Sequence, residues 1–377
     1  MAATGSEPLA VPGRTARPGA AVSTGAVTLS RVAERAGVSL STASRVLHGS
    51  GGRAVREELR TKVLAAASDL HYVSHGPAQA LARASTSLVG LVVHDVADPY
   101  FAAIAAGAMR IARTHDLMVV MAATFRDPDL ELEYVARLRA QRARAVVLAG
   151  SGFADPGYVV RLAREAAALE EQGGRIVCVG PHGVPADTVL PGNADGAAQA
   201  ARHLWDLGHR MIGVVSGPPE LATVRERLDG TRTMLRALGT PLPDARVVEA
   251  DFTRDGARAA TRDLFHRAPD VTAVIALADV MAAGVLAALR DDLGRSVPED
   301  VSVVGFDDVP QAADLNPALT TVRLPLERIG EEAMRLVTGE HTGNGPCSIA
   351  ADAALIRRAS TGPVPGPDAS RAPVAAR

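Results

Sequence analysis

The sequence predicts a small all-α module followed by a two-lobed α/β domain of parallel, doubly wound sheets. Three observations carry that expectation. Residues 28–72 read as three short helices separated by Gly and Ser. From Ser87 onward, short apolar runs alternate with helix-length segments of 3.6-residue period, the mark of βαβ units. The series restarts near Pro191, so two sheets, and hence two lobes, are expected. With 377 residues, 47% hydrophobic and 22% charged, the chain has material for more than one core.

Residues 1–26 are mostly Ala, Gly, Pro, Ser and Thr, with no apolar run after their arginines, and read as a disordered extension rather than a secretory signal. Thr28 is placed to cap the first helix, Gly37 to end it in a left-handed turn, and Ser39 to cap a second helix, Leu40–Leu47. A third, Arg56–Leu70, would present Leu59, Val63, Ala66, Ala67 and Leu70 to a core. Ala33 and Gly37 are small enough for the first two helices to cross closely. That is helix-turn-helix geometry, with a purely structural bundle as the alternative.

Strands are expected at Leu88–Val93, Met118–Ala123, Ala145–Leu148 and Arg175–Val179, and again at Met211–Val215, Arg246–Ala250, Ala273–Leu277 and Val301–Val304. The helices between them are expected at Phe101–Thr114, Leu130–Gln141, Tyr158–Glu171, Ala194–Leu207, Val224–Leu238, Asp255–Phe265 and Val280–Leu289. The apolar stretch Val271–Leu289 contains Asp279 and reads as strand, acid, helix rather than a membrane span.

Formal net charge is −2, but it is unevenly spread: residues 27–87 carry +4, residues 1–26 carry +1 and the remainder −7. A basic module on an acidic body suits nucleic acid. The second helix adds Ser, Thr and Arg, donors for phosphates and guanine edges. Lys62 is the only lysine, which excludes a P-loop. Cys178 and Cys347 lack disulfide or zinc spacing. No G-x-S-x-G or H-E-x-x-H occurs, and the histidines show no metal spacing; His94-Asp95 reads as a loop pair. The segment Gly150-Ser-Gly152-Phe-Ala-Asp155 is two-thirds of a dinucleotide fingerprint, but Asp155 stands where the third glycine belongs. An NAD-dependent oxidoreductase is thus one alternative and a secreted sugar-binding protein another; no enzyme, cofactor or metal site is expected.

The run VTLSRVAERAGVSLSTASRVLH, from Val27 to His48, resembles the headpiece of the lactose/galactose repressor (LacI/GalR) family. The resemblance continues through Val63, Ala66, Leu70 and Tyr72, through Ala78–Ala82, and through Asp98-Pro-Tyr-Phe101. It resumes at Leu207-Gly-His-Arg210, Arg227-Leu-Asp-Gly230, Asp251-Phe252, Val301–Asp308 and Leu319-Thr-Thr-Val322, and covers about residues 27–361. It implies a DNA-binding regulator, of repressor type, with a periplasmic-binding-protein-like effector domain. It further implies a cytoplasmic homodimer on a pseudo-palindromic double-stranded operator, and a small polar effector, a sugar or sugar derivative, between the lobes.

By that resemblance Leu40 and Ser41 open the recognition helix; Thr42 and Arg45 face the groove, Arg45 toward guanine; Thr28, Ser39 and Ser44 hold phosphates; His48 belongs to the same set; and Leu81, in a hinge helix from about Pro77 to Arg83, wedges into the minor groove. Tyr100, Phe101, Asn193, Thr223, Arg227, Phe252 and Asp279 are the implied effector residues. The chain departs from the family at His48 (usually Asn), Gly49–Gly52 (a longer turn), Arg56 (usually Ser or Thr), Ser74, His75 and Gly76, and in the cleft at Ala278 (commonly Asn) and Gly192 (commonly Asp). The expected domains are an extension, 1–26; a helix-turn-helix domain, 27–73; a hinge and linker, 74–87; an effector and dimerisation domain, 88–361; and a tail, 362–377. Within the effector domain, lobe 1 is expected at 88–190 and 309–340, lobe 2 at 191–308 and 341–361. No leucine heptads follow Thr361, so no tetramerising coiled coil is expected.

Overall fold

The computed structural model describes residues 27–48, 55–72, 86–340 and 345–364. It divides into two compact units, Met1–Gln79 and Ala80–Arg377. In the first unit, α1 (Leu29–Ala36), α2 (Leu40–His48) and α3 (Glu57–Asp69) close around Val32, Ala33, Ala43, Val63 and Ala66. Gly37 adopts φ 65°, the left-handed C-cap, and its N–H reaches Ala33 and Glu34 carbonyls. Ser39 Oγ accepts the Thr42 N–H at 3.2 Å and caps α2. Thr28 occupies the N-cap of α1 without a side-chain bond. Leu59 lies outside the core and is half-buried.

The second unit holds two six-stranded sheets. The first comprises β1 (Leu88–Val93), β2 (Met118–Ala123), β3 (Ala145–Leu148), β4 (Ile176–Val179), β5 (Asp187–Pro191) and β11 (Ser348–Ala351). Their order is β11-β5-β4-β3-β1-β2, and every pair is parallel. The second comprises β6 (Ile212–Ser216), β7 (Val247–Glu249), β8 (Ala273–Ala276), β9 (Ser302–Asp307), β10 (Thr320–Arg323) and β12 (Ala354–Ile356). Its order is β12-β10-β9-β8-β6-β7, antiparallel only at β10–β12. The central strands are continuous apolar runs because helices cover both faces.

In the first lobe α4 (Pro99–Thr114), α5 (Pro128–Ala140) and α6 (Pro156–Glu171) share one device. Asp98, Asp127 and Asp155 are their N-caps, each followed by proline at the first helical position. The caps start these helices two residues before the apolar periodicity does. Asp155, the residue that spoils the dinucleotide fingerprint, accepts the Gly157 and Tyr158 N–H groups. The second lobe carries α7 (Asn193–Asp206), α8 (Ala222–Ala237), α9 (Arg254–Arg267) and α10 (Asp279–Ala287), the last running into a π-turn, Ala288–Asp292. The stretch around Asp279 is thus strand and helix, and no helix among the described residues is long and apolar enough to cross a membrane.

The lobe boundaries read from the sequence need correction. Thr320–Arg323 pairs with β9 in the second sheet, so the chain returns to the first lobe only after Arg323, not at 309. Helix α11 (Leu326–Thr338) then packs on α4. Ser348–Ala351 pairs with β5 in the first sheet, so 341–361 is split rather than wholly in the second lobe. The chain crosses three times, after β5, β10 and β11. Gly107 and Gly330 bring α4 and α11 together: a Cβ on either would lie 1.9 Å from a backbone oxygen of the other helix, Glu327 or Ile104.

Candidate functional site

The helix-turn-helix unit presents the start of α2. Leu40 is 51% exposed, and Ser41 is exposed beside it. The Ser39 hydroxyl lies 2.9 Å from both the Ser41 and Thr42 hydroxyls, a cluster with donor capacity to spare. Arg45 Nε donates to the Ser41 carbonyl at 3.2 Å, which lays the side chain along the helix and leaves the guanidinium edge without an ion pair among the described residues. Thr28 is exposed and Ser44 half-buried. His48 closes α2. Leu81 and the expected hinge lie outside the described residues, as do Gly49–Gly52 and the positions from Ser74 to Gly76.

In the second unit a cleft open to solvent is lined by both lobes. Each of the nine strands β1–β9 delivers residues to it from its carboxyl end. From β1 come Asp98, Tyr100 and Phe101; from β2, Arg126; from β3, Ser151; from β6, Thr223 and Arg227; from β7, Phe252; and from β9, Asp307. Tyr100 and Phe101 meet edge to face at 4.9 Å, and burial pushes the Tyr100 phenol upward. Gly217 leaves the room that Phe252 fills; a Cβ there would lie 2.3 Å from its ring.

Arg227 is 2% exposed and held by its whole fork. Nε donates to Asn193 Oδ1 at 2.9 Å, one terminal nitrogen to the Leu277 carbonyl at 2.5 Å and the other to Asp307 at 2.9 Å. The guanidinium lies 3.8 Å from the Phe306 ring centroid. Burial raises the Asp307 carboxyl well above its ordinary range, and Arg227 works against that rise. Of the five guanidinium N–H groups three are committed, and two have no hydrogen-bond partner among the described residues.

Asn193 and Asp279 depart from the implied effector set. Asn193 is buried behind Arg227 and also donates to Glu226 at 2.8 Å. The Asp279 carboxylate accepts the Thr321 hydroxyl at 2.5 Å and the Val309 N–H at 2.9 Å, so both oxygens are used inside the protein. Ala278, not Asp279, lines the cleft and is the N-cap of α10. Asp279 therefore ties β8 to β9 and β10, and burial lifts its carboxyl to about 7. The polar and charged lining residues missing from the sequence-derived set are Asp98, Arg126, Ser151 and Asp307. The strand-end rule marks Asp307 as clearly as Asp279, and Asp307 stands out further by its φ of 112°.

The loops after β3 and β6 join across the cleft. Ala154 N–H donates to the Glu220 carbonyl and Ala222 N–H to the Gly152 carbonyl, both at 2.8 Å, around an antiparallel bridge of Phe153 and Leu221. Thr223 N–H adds a bond to Ser151 Oγ at 2.9 Å. Gly150 and Gly152, the dinucleotide-like glycines, allow close approach instead: a Cβ would strike the His94 ring at 2.7 Å or the Pro181 carbonyl at 2.2 Å. His94 lies in the bend after β1, as the loop reading has it, but is buried. Its Nε2 accepts the Ser151 N–H at 2.7 Å, its Nδ1 meets Thr124, and burial first, then Arg126, drives it down to about 3.

Residues 28–75 match the model for bacterial regulatory proteins of the lacI family, and residues 201–361 the model for periplasmic binding protein-like domains. The chain is 36% identical over 324 residues to the HTH-type transcriptional regulator CelR of Thermobifida fusca, covering 84% of this chain and 92% of that protein. This chain belongs to the LacI family. The ribose operon repressor of Bacillus subtilis (strain 168) is 31% identical over 317 residues, 83% of this chain and 91% of that one. Among solved structures, a CelR–cellobiose complex matches with TM-score 0.65 at 34% identity, covering 89% of this chain and 99% of that one. A lac repressor dimer bound to operator and an anti-inducer matches with TM-score 0.75 at 26% identity, covering 90% and 100%. The LacI-family assignment makes the chain a DNA-binding transcriptional regulator with the helical headpiece and two-lobed α/β body described above.

Proposed function

We propose that this LacI-family protein is a repressor whose affinity for a double-stranded operator is set by a small polyhydroxylated effector, a sugar or sugar derivative, held between its lobes. One observation carries the reading: the Arg227–Asp307 pair stands fixed between Tyr100, Phe101, Phe252 and Thr223 in a cleft lined from both lobes. Planar aromatic walls with a few fixed donors and acceptors suit hydroxylated rings. CelR in complex with cellobiose and the ribose operon repressor supply the family context. Ser39, Leu40, Ser41, Thr42, Ser44 and Arg45, with Thr28, His48 and Leu81, are the proposed operator contacts. Leu40 and Ser41 read bases, and Arg45 a guanine. The protein acts in the cytoplasm and carries out no chemistry on its ligand.

It works as a homodimer, as the lac repressor does in its operator complex. The surface offered for this is β2, an edge strand whose Met118 and Val120 are 59% and 42% exposed, beside Met109 on α4 at 41%. An apolar open edge is covered in a stable protein. A thermal-shift screen of sugars and polyols tests the cleft. A ligand at 100 times its Kd adds about 2.7 kcal/mol of stability, and the shift is expected to vanish in Arg227→Ala. An unchanged shift in that variant overturns the site.

A further inference from the structure

We propose that the effector carries an anionic group, a carboxylate or phosphate on a hydroxylated frame, and that Arg126 is the residue that selects it. The inference rests on the cleft reading above and adds the charge of the ligand. Arg126 follows β2 and lines the cleft from the first lobe. Its guanidinium lies 5.2 Å from the Phe252 ring centroid, across the cleft on the second lobe, and makes no hydrogen bond or ion pair among the described residues.

The contrast with Arg227 decides the assignment. Arg227 already has Asp307 as counter-ion and a bond from each of its nitrogens, so the cleft's cation without a direct anion is Arg126. Arg126 is also substantially buried, and burial works against its charge, with only the longer-range fields of Asp98, Asp95 and Asp251 in its favour. A desolvated guanidinium backed by an aromatic face, with its hydrogen-bonding edge free, is a receptor for a planar or tetrahedral oxyanion. Phe125 and Arg126 both hold positive φ, 52° and 64°, so the chain keeps two non-glycine residues in the left-handed region to aim this side chain. The hydroxyl side of the ligand then meets Asp307 and the two uncommitted Arg227 N–H groups.

Asp98 sharpens the proposal. Its Oδ1 accepts the Tyr100 N–H at 3.0 Å, and burial raises its carboxyl. An anion on Arg126 sits near that carboxyl and favours its protonated form, so the acidic ligand binds more tightly as pH falls, whereas a neutral sugar shows no such trend from this pair.

The test uses the full-length protein and isothermal titration with D-glucuronate, D-gluconate and glucose 6-phosphate against D-glucose and cellobiose. At least one acidic probe is expected to bind about ten- to a hundredfold more tightly than D-glucose. Arg126→Gln is expected to remove that preference, and Arg126→Lys to restore part of it; the carboxylate and phosphate probes distinguish the two sources of charge. Equal or weaker binding of every acidic probe overturns the inference, as does a preference that survives in Arg126→Gln. If a neutral sugar binds and Arg227→Ala abolishes it while Arg126→Gln does not, the cleft reading stands and only the anion falls.

Discussion

By its place after β8, Asp279 has the same claim on a ligand as Asp307 at the end of β9, and only packing separates them. Thr321 and Val309 take both oxygens of Asp279, whereas Asp307 faces Arg227 in the cleft. Sequence position identifies strand-end carboxylates; it does not show which way a β9 residue at φ 112° turns. Arg126 is hidden for a different reason, because a charged residue in a loop after a strand is ordinarily solvated. The Asp279 environment yields a pH prediction. Its folded carboxyl is raised to about 7 from an ordinary 3.8, so the proton is held more tightly in the folded protein. The associated stability is complete below about pH 4 and is lost as pH rises to about 7. Asp279→Asn keeps an acceptor for the Val309 N–H and removes the charge, and its amide nitrogen faces a Thr321 hydroxyl that turns from donor to acceptor. Its melting temperature is expected to fall less than the wild type's between about pH 5 and 8, with a gain on the order of 2 kcal/mol at the alkaline end. Parallel pH curves for the two proteins would remove Asp279 from this role. On the DNA side, Arg45→Ala is expected to cost about 1–3 kcal/mol of operator affinity and relax preference at one base position, read by anisotropy titration against single-base operator variants. Uniform loss across the variants would make Arg45 a phosphate contact.

At the scale of elements, periodicity shows where helices lie and caps show where they begin. The apolar pattern places the starts of α4, α5 and α6 at residues 101, 130 and 158, while Asp98-Pro, Asp127-Pro and Asp155-Pro start each two residues sooner. Strand β10 is less legible: its sequence, TTVR, has one aliphatic residue, and two threonines are buried only because β9 and β12 flank them. Misplacing that strand misplaces the lobe crossing. The bonded loops after β3 and β6 are legible only in three dimensions, since their ladder joins residues some 70 apart. They offer a precise lever. Ala222 is the first residue of α8, a position where proline suits the helix, and Leu221 before it is already extended at φ −79°, ψ 128°. Ala222→Pro removes the N–H that reaches Gly152 and puts a ring in its place. The expected result is unchanged helicity, a larger radius of gyration in solution scattering, and about tenfold weaker effector binding, because the closed arrangement is depopulated. Unaltered scattering and affinity would show that these bonds do not hold the lobes together.

The whole molecule behaves as a regulator only if its two binding events are coupled, and coupling follows from differential affinity rather than from proximity. An effector gripped by Tyr100 and Arg126 on one lobe and Arg227, Thr223 and Phe252 on the other contacts both only when the cleft is closed, so it favours that arrangement over any with the lobes apart. If operator DNA distinguishes the same arrangements, each ligand changes the other's affinity by one common factor. Couplings of this kind are typically about 1–3 kcal/mol, or roughly 5- to 150-fold. The expected outcome is therefore an equality: the ratio of operator Kd with and without saturating effector matches the ratio of effector Kd with and without saturating operator. Ala222→Pro shifts the balance of arrangements before either ligand arrives, and so is expected to change operator affinity in the same direction as removing effector. The experiment is four anisotropy and calorimetric titrations at one salt concentration, since phosphate contacts make DNA affinity steeply salt-dependent. They are run well above the dimer dissociation range, so that subunit association does not enter either ratio. A common factor of one in both directions would mean that the cleft ligand, however tightly held by Arg227 and Asp307, does not regulate DNA binding.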